Sequence, residues 1–357
     1  MTNIYAALEI GSTSTVLAVG EAETGGRLKI SCKAKIPSTG VKKSQIINMN
    51  AATQSIKSVV MAVEKQQAEA GDSLTIGNAF LVVSGRHVNA DMYQATVQVE
   101  GAKVGDDDID DVVEASRLFH LPKDRELLDI SDLCFSLDGL SGIRNPKGMS
   151  GRILKLDTLQ IHADRNRIDD ARTAAEGAHL ELRDPLFAAA CAADAVLSES
   201  DRRSGALVID LGGGSTGYAV YSDGMLTAAN AFGVGGDHVT NDIAYAFQTT
   251  QAHAESLKLT SASAVLQGDY DAVPRTNLPG ITPIVQARTI SRRALDTVVN
   301  LRMKEILSIV RSELEGYDML HRLHAGAVLV GGGAYMRGIC ELVQRELGIP
   351  AKIGAPL

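Results

Sequence analysis

Three short turns hold the residues of this chain best suited to chemistry. They read Leu8-Glu9-Ile10-Gly11-Ser12-Thr13, Asp210-Leu211-Gly212-Gly213-Gly214-Ser215-Thr216 and Leu329-Val330-Gly331-Gly332-Gly333-Ala334. Each closes an apolar, strand-like run. Glycines without a Cβ let backbone N–H groups approach an anion, and hydroxyls at the turn add donors. The acids heading the first two turns, Glu9 and Asp210, would repel a phosphate unless a cation lay between them, so the pattern implies a magnesium nucleotide. One such turn reads equally as a hairpin. Three in this order favour a nucleotide site.

The elements around them repeat. Residues 4 to 36 alternate as three strands with a turn at Glu23-Thr24-Gly25-Gly26. A helix follows from Asn50 to about Ala70, with Ile56, Val59, Val60 and Val63 on one face, then a strand from Ala79 to Ser84. A second βββ start appears at Ala206 to Asp210, Tyr218 to Tyr221 and Met225 to Phe232. This duplication predicts a nucleotide held between two similar halves. Between them, strands near Ala95 to Glu100 and Arg152 to His162 flank a helix opening with Asp106-Asp107-Asp108, whose acids suit the helix dipole. Helical spacing of Ile168, Ala171, Ala175 and Ala178, then the Ala-rich Phe187 to Leu197, leads to a lobe boundary at Ser198 to Ser204.

At 357 residues the chain exceeds one ordinary core. Its hydrophobic fraction of 45% and charged fraction of 22% are those of a globular protein. A net charge of −8 argues against general nucleic-acid binding. Lacking tryptophan and with 4% aromatics, it is poorly equipped for stacking on sugars or single strands. Cys32, Cys134, Cys191 and Cys340 lack metal or redox spacing and read as buried free thiols. The eight histidines form no cluster, His321 and His324 reading as a helix end. With no leader and no apolar run of membrane length, a cytoplasmic protein is expected.

Four stretches give a family resemblance. Leu8 to Thr13 with Val19-Gly20-Glu21, Asp210 to Thr216 with Val234-Gly235-Gly236-Asp237-His238-Val239-Thr240-Asn241-Asp242-Ile243, Val299 to Val310, and Val328 to Gly338 with Ile353 to Leu357 resemble the actin-like ATPases, and among them the FtsA family of bacterial cell division. Ser84-Gly85-Arg86-His87 and Asn145 to Arg152 resemble the ends of that family's inserted subdomain, 1C. The resemblance implies an α/β actin-like ATPase fold, two duplicated RNase H-like lobes with an FtsA-type 1C insert. It divides the chain into lobe 1 (1A) at 1–80 and 164–203, 1C at 81–163, lobe 2 (2A) at 204–239 and 294–357, and 2B at 240–293.

The resemblance also implies roles. Gly11, Ser12, Thr13 and Ser14 would meet phosphate from one side, and Gly212, Gly213, Gly214, Ser215 and Thr216 from the other, with Gly235 and Gly236 at the helix entry. Asp210 and Glu9 would hold Mg2+ through waters. Glu255 and Lys258 would hold the adenosine, unless they are an exposed helical ion pair. Gly331, Gly332, Gly333 and Met336 would lie against base and ribose. Ser14 stands where many family members have lysine, and Gly217 where many actin-like ATPases have an acid, so ATP binding with at most slow hydrolysis is expected. Asp184 is the remaining candidate to orient water, its alternative being a helix N-cap.

The implied function is a cytoskeletal, filament-forming ATPase-fold adaptor at the division septum. It would bind the acidic, apolar FtsZ C-terminal tail through subdomain 2B, where Arg275, Arg288, Arg292 and Arg293 offer charge. The family reaches the inner face of the membrane through an amphipathic helix beyond Leu357, where this chain stops. Lys42-Lys43 reads as a solvated loop. A PilM-like pilus adaptor, an exopolyphosphatase and a small-molecule kinase share the superfold and remain alternatives.

Overall fold

Alternation of period two over the opening residues builds an antiparallel sheet of β1 (Ile4–Ile10), β2 (Ser14–Ala22) and β3 (Leu28–Pro37). The computed structural model describes residues 4–22, 28–71, 75–118, 121–266, 275–280, 287–316 and 319–357. The turn at Glu23 to Gly26 lies outside them. A two-residue hairpin of β4 (Val41–Lys42) and β5 (Gln45–Ile46) precedes α1 (Met49–Glu69). Asn48 caps α1 by accepting the Ala51 N–H. The 3.6-residue repeat of α1 buries Ala52, Ile56, Val59 and Val63 beneath the sheet, beside Leu8 and Leu17. β6 (Asn78–Val83) joins β1 in parallel.

The middle of the chain forms its own antiparallel sheet. β7 (Val88–Gln98), α2 (Asp106–Arg117), β8 (Arg125–Leu137), β9 (Leu140–Ile143) and β10 (Ile153–Asp164) give the order β7-β10-β8-β9, with α2 packed on one face through Val112. Asp108 of the acidic run accepts from the N–H groups of Gly105 and Glu100, at 2.8 and 3.1 Å, which makes it a helix cap. Neither β8 nor β9 is expected from the sequence, which reads 139–151 as loop.

The chain returns through α3 (Arg165–Glu176), β11 (Glu181–Phe187), α4 (Ala188–Val196) and the short α5 (Glu199–Ser204), whose start Ser198 caps. The second lobe comprises β12 (Ala206–Leu211), β13 (Thr216–Ser222), β14 (Met225–Phe232), α6 (Gly236–Ala246), α7 (Gln251–Thr260), β15 (Arg275–Leu278), β16 (Arg288–Ser291), α8 (Arg292–Gly316), β17 (Gly326–Val330), α9 (Ile339–Leu347) and β18 (Ala351–Ile353). The two five-stranded sheets share one topology. Read as β3-β2-β1-β6-β11 and β14-β13-β12-β17-β18, each has two antiparallel pairings followed by two parallel ones. The duplication expected from the βββ starts is therefore a property of the fold.

α4 lies between the lobes. Its Ala189, Ala190 and Ala193 are buried in one core with Val208, Ala219 and Ala229 of the second sheet and Val83 of the first. Small side chains allow that close approach. The second sheet is thus apolar on both faces, its other face packing on α6, α8 and α9. The four cysteines are free; Cys32 is buried and the other three are half-buried, fewer than the sequence suggests.

Candidate functional site

A cleft of about 980 Å³ opens between the two sheets, and all three glycine turns line it. It brings together Glu9, Gly11, Ser12, Thr13 and Ser14 from the β1–β2 turn, and Asp210 with Gly212 to Thr216 from the β12–β13 turn. Gly235, Gly236, Glu255, Lys258, Gly331, Gly332, Gly333 and Met336 complete the wall. Asp184 does not belong to it. It is exposed on the edge strand β11, at the register break between Arg183 and Pro185, and the N-cap of α4 is Phe187. Pro185 lacks an N–H and interrupts pairing, so the residue before it bulges outward instead of capping a helix. Neither role considered for Asp184 fits this position.

The loops are set by backbone bonds. Gly11 N–H donates to Ser14 O at 3.0 Å, closing the first turn. At the second turn, α6 docks end-on: Gly236 N–H donates to Gly212 O at 2.9 Å and Asp237 N–H to Gly213 O at 2.8 Å. A Cβ on Gly235 would stand 2.6 Å from both of those carbonyl oxygens, so only glycine permits this approach. The first N–H groups of α6 hold the turn from behind. The two loops also meet across the cleft, where Thr13 Oγ1 donates to Asp237 Oδ1 at 3.5 Å.

The electrostatics centre on two carboxylates. Burial, then the nearby charge of Asp210, raises Glu9 to about 7, while Lys35 and a hydrogen bond from Ser84 pull the other way. Burial raises Asp210 to about 6. Gly331 has φ +79°, and its Cβ would stand 2.4 Å from Asp210 Oδ1, so this acid is enclosed by a turn that needs glycine. Two enclosed acids, both raised by burial and Glu9 further by the charge of Asp210, form a donor set that a divalent cation would relieve. No group of three or more metal-ligating side chains exists among the described residues, so a cation here would need phosphate or water for its remaining ligands.

Lys258 is no exposed surface ion pair. Its side chain is 10% exposed, and its ammonium meets Glu255 Oε2 at 2.7 Å and donates to Thr240 Oγ1 at 2.9 Å and to Gly236 O at 3.2 Å. Thr240 in turn contacts Glu255. Gly217 is the cross-strand partner of Asp210, and its neighbours are Ala189 and Phe187, so no acid stands there.

Several lining residues escape a sequence reading. Lys35, Ser44, Ser84, Asp237, Tyr335 and Arg337 all face the cleft. Lys35 had a readable signal. Cys32 and Ala34 are buried against α1, so period two turns Lys35 to the other face of β3, in register with Val16 and hence with Glu9. Ser44 comes from a turn too short to read by periodicity.

Comparison with known proteins agrees with the geometry. The family model for the cell division protein FtsA matches residues 207–357, and that for the SHS2 domain inserted in FtsA matches residues 85–162. The cell division protein FtsA of Pseudomonas aeruginosa is 30% identical over 353 residues, covering 98% of this chain and 82% of that protein. Among solved structures, the PilM-PilN type IV pilus biogenesis complex superposes with a TM-score of 0.65 at 17% identity, covering 99% of this chain and 88% of that one. MreB5 of Spiroplasma citri, solved bound to ADP, gives 0.59 at 15%, covering 99% and 92%. Identities this low speak to the fold alone, and the fold is that of the actin-like ATPases. The sequence relationship is narrower: this chain belongs to the FtsA family of bacterial cell division proteins.

Proposed function

We propose that the cleft binds magnesium ATP and that the protein is a self-assembling adaptor of the division apparatus. The convergence of three glycine turns around Glu9 and Asp210 carries this reading. Glu9 and Asp210 would hold Mg2+, which neutralises phosphate charge when bound. Gly11 to Ser14 and Gly212 to Thr216 grip the phosphates from opposite lobes, and Lys258 with Glu255, Gly331 to Gly333 and Met336 receive the adenosine.

Binding outlasts hydrolysis in this account. Position 217 offers no carboxylate, Glu255 is tied to Lys258, and Asp237 is tied to Thr13. The site therefore has donors for phosphate and, among the described residues, lacks a free base placed for water. ATP acts as the clamp that closes the lobes, closed subunits join into filaments, and turnover is slow. Asp184, exposed on its edge strand, has no part in this scheme.

Residues 240–293 form the docking surface for the FtsZ tail, as subdomain 2B. A groove of about 800 Å³ there is lined by His253, Leu257, Thr276, Leu278, Pro279 and Arg288, an apolar floor with a cation at its edge that suits an acidic, apolar peptide. Of the four arginines considered, Arg292 is already tied to Asp296 at 3.5 Å and Arg288 to the Phe247 carbonyl; the side chain of Arg275 lies outside the description. No helix among the described residues is long and apolar enough to cross a membrane.

The test is sedimentation of the protein with magnesium ATP, ADP or no nucleotide, paired with fluorescence anisotropy of a labelled FtsZ C-terminal peptide. ATP-dependent pelleting and saturable peptide binding weakened by Arg288→Glu are expected. Pelleting indifferent to nucleotide, with no peptide binding, would overturn the adaptor reading.

A further inference from the structure

The β4–β5 hairpin reaches across the seam between the two phosphate turns. Ser44 N–H at its tip donates to Ser12 Oγ at 2.7 Å, and Ser44 Oγ lies 3.4 Å from Ser215 Oγ. A Cβ on Gly214 would fall 3.1 Å from Lys43 Cα, so the hairpin backbone is seated directly on the second turn. Three hydroxyl groups from three separate chain segments converge there. Ser12 accepts the backbone proton of Ser44, which leaves its own proton to point elsewhere. Ser44 and Ser215 can share only one proton between them. The second proton is available to an acceptor in the cleft, which Ser44 lines.

The tip is also strained. Lys43 and Ser44 have φ of 50° and 57°, consecutive left-handed residues in a two-residue turn that normally takes Asn-Gly. Neither is glycine. Strain maintained beside a site, together with the convergent hydroxyls, points to a role that the side chain at position 44 performs.

We propose that the Lys43-Ser44 tip is a third phosphate-facing element and that Ser44 makes the cleft select a nucleoside triphosphate over a diphosphate. This rests on the nucleotide reading above. The adenosine side of the cleft is built from the second lobe alone, through Glu255, Lys258 and Gly331 to Met336. The seam where Ser12, Ser44 and Ser215 meet is a place where both lobes contribute hydroxyls. A phosphate chain running from the first region toward the second brings only its terminal group to the seam.

The experiment measures dissociation constants for magnesium ATP and magnesium ADP by calorimetry on the full chain, for the natural protein, Ser44→Ala and Ser44→Gly. Apo melting curves establish that each variant folds. The expected result is about a tenfold loss of ATP affinity in both variants, the cost of one hydrogen bond to a charged group, with ADP affinity unchanged. Ser44→Gly should melt no lower than the natural protein, because glycine relieves the positive φ. If the natural protein binds ATP but the ATP to ADP preference is indifferent to position 44, or both affinities fall together, this inference fails and the nucleotide reading survives. If the natural protein binds neither nucleotide, both fail.

Discussion

The two lobes share a topology and a loop construction, yet they are built to different tolerances. In both turns the leading glycine is packed identically: a Cβ on Gly11 would stand 2.9 Å from Ser14 O, and one on Gly212 would stand 2.9 Å from Ser215 O. Around that common turn the lobes diverge. β12 and β13 are buried along almost their whole length, whereas β1 and β3 alternate buried and exposed residues, with Leu28 and Ile30 open to solvent. The second lobe fixes its turn with α6 and with Lys258. The first lobe's turn is met instead by Lys35 and by the Lys43-Ser44 tip. One lobe is a deeply buried seat, and the other brings more exposed contacts to the cleft.

The sharpest way to break that contrast is to damage the buried side. Gly331→Ala forces a Cβ into a positive-φ position against Asp210 and should cost about 2–4 kcal/mol of stability along with nucleotide binding, read from chemical denaturation and calorimetry. Lys258→Ala should follow. Loss of a lysine with three partners leaves the half-buried Glu255 without its cation and with only the Thr240 hydroxyl beside it, so ATP, ADP and adenosine should all weaken by about 2 kcal/mol. Lys35→Ala, on the more exposed side, should cost only about 1 kcal/mol, should spare adenosine, and should lose its effect in high salt, as an exposed charge does.

A pH measurement separates the lobes differently. Glu9 is raised to about 7 in the folded state and lies near 4.5 when unfolded, so the folded protein holds the extra proton between those values. Stability from this group is present below about pH 4.5 and is lost as pH rises through 7. Between pH 6 and 8 the apo protein should lose about 1 kcal/mol, and Glu9→Gln should flatten the slope in that window. Asp210, raised to about 6, completes its loss earlier. The smallest effect belongs to Arg144→Ala, which breaks the 2.9 Å pair with Asp223 joining the inserted sheet to the second lobe. Both side chains are two-thirds exposed, and a melting-temperature change equivalent to more than about 0.5 kcal/mol is not expected.

Legibility in the sequence followed the same division. The second lobe announced itself through Ala206 to Phe232, where apolar runs are broken only at turns, as strands buried on both faces require. The first lobe was equally readable in β1 to β3, α1 and β6, but not in the two-residue strands β4 and β5, where Lys42-Lys43 reads as a solvated loop. β11 was not, because Asp184 and Pro185 sit inside it, and an edge strand tolerates residues that would deny a central one. β8 was missed because its thirteen residues, Arg125–Leu137, mix acids with apolar residues and are mostly half-buried between β10 and β9, so no clean alternation survives. Among site residues, those within the glycine turns could be named directly. Thr240, which links Glu255 to Lys258, and Ser44, which bridges the loops, act through contacts between segments far apart in sequence, and no local spacing encodes those.

The central claim is that the duplicated turns, with Glu9 and Asp210 between them, form one magnesium-nucleotide site. Calorimetric titration of the protein with ATP, with and without magnesium, tests it most directly. The account predicts saturable binding that strengthens markedly with magnesium and that Asp210→Asn uncouples from the metal. Absence of binding at millimolar ATP, or binding of equal strength with the metal removed, would contradict it.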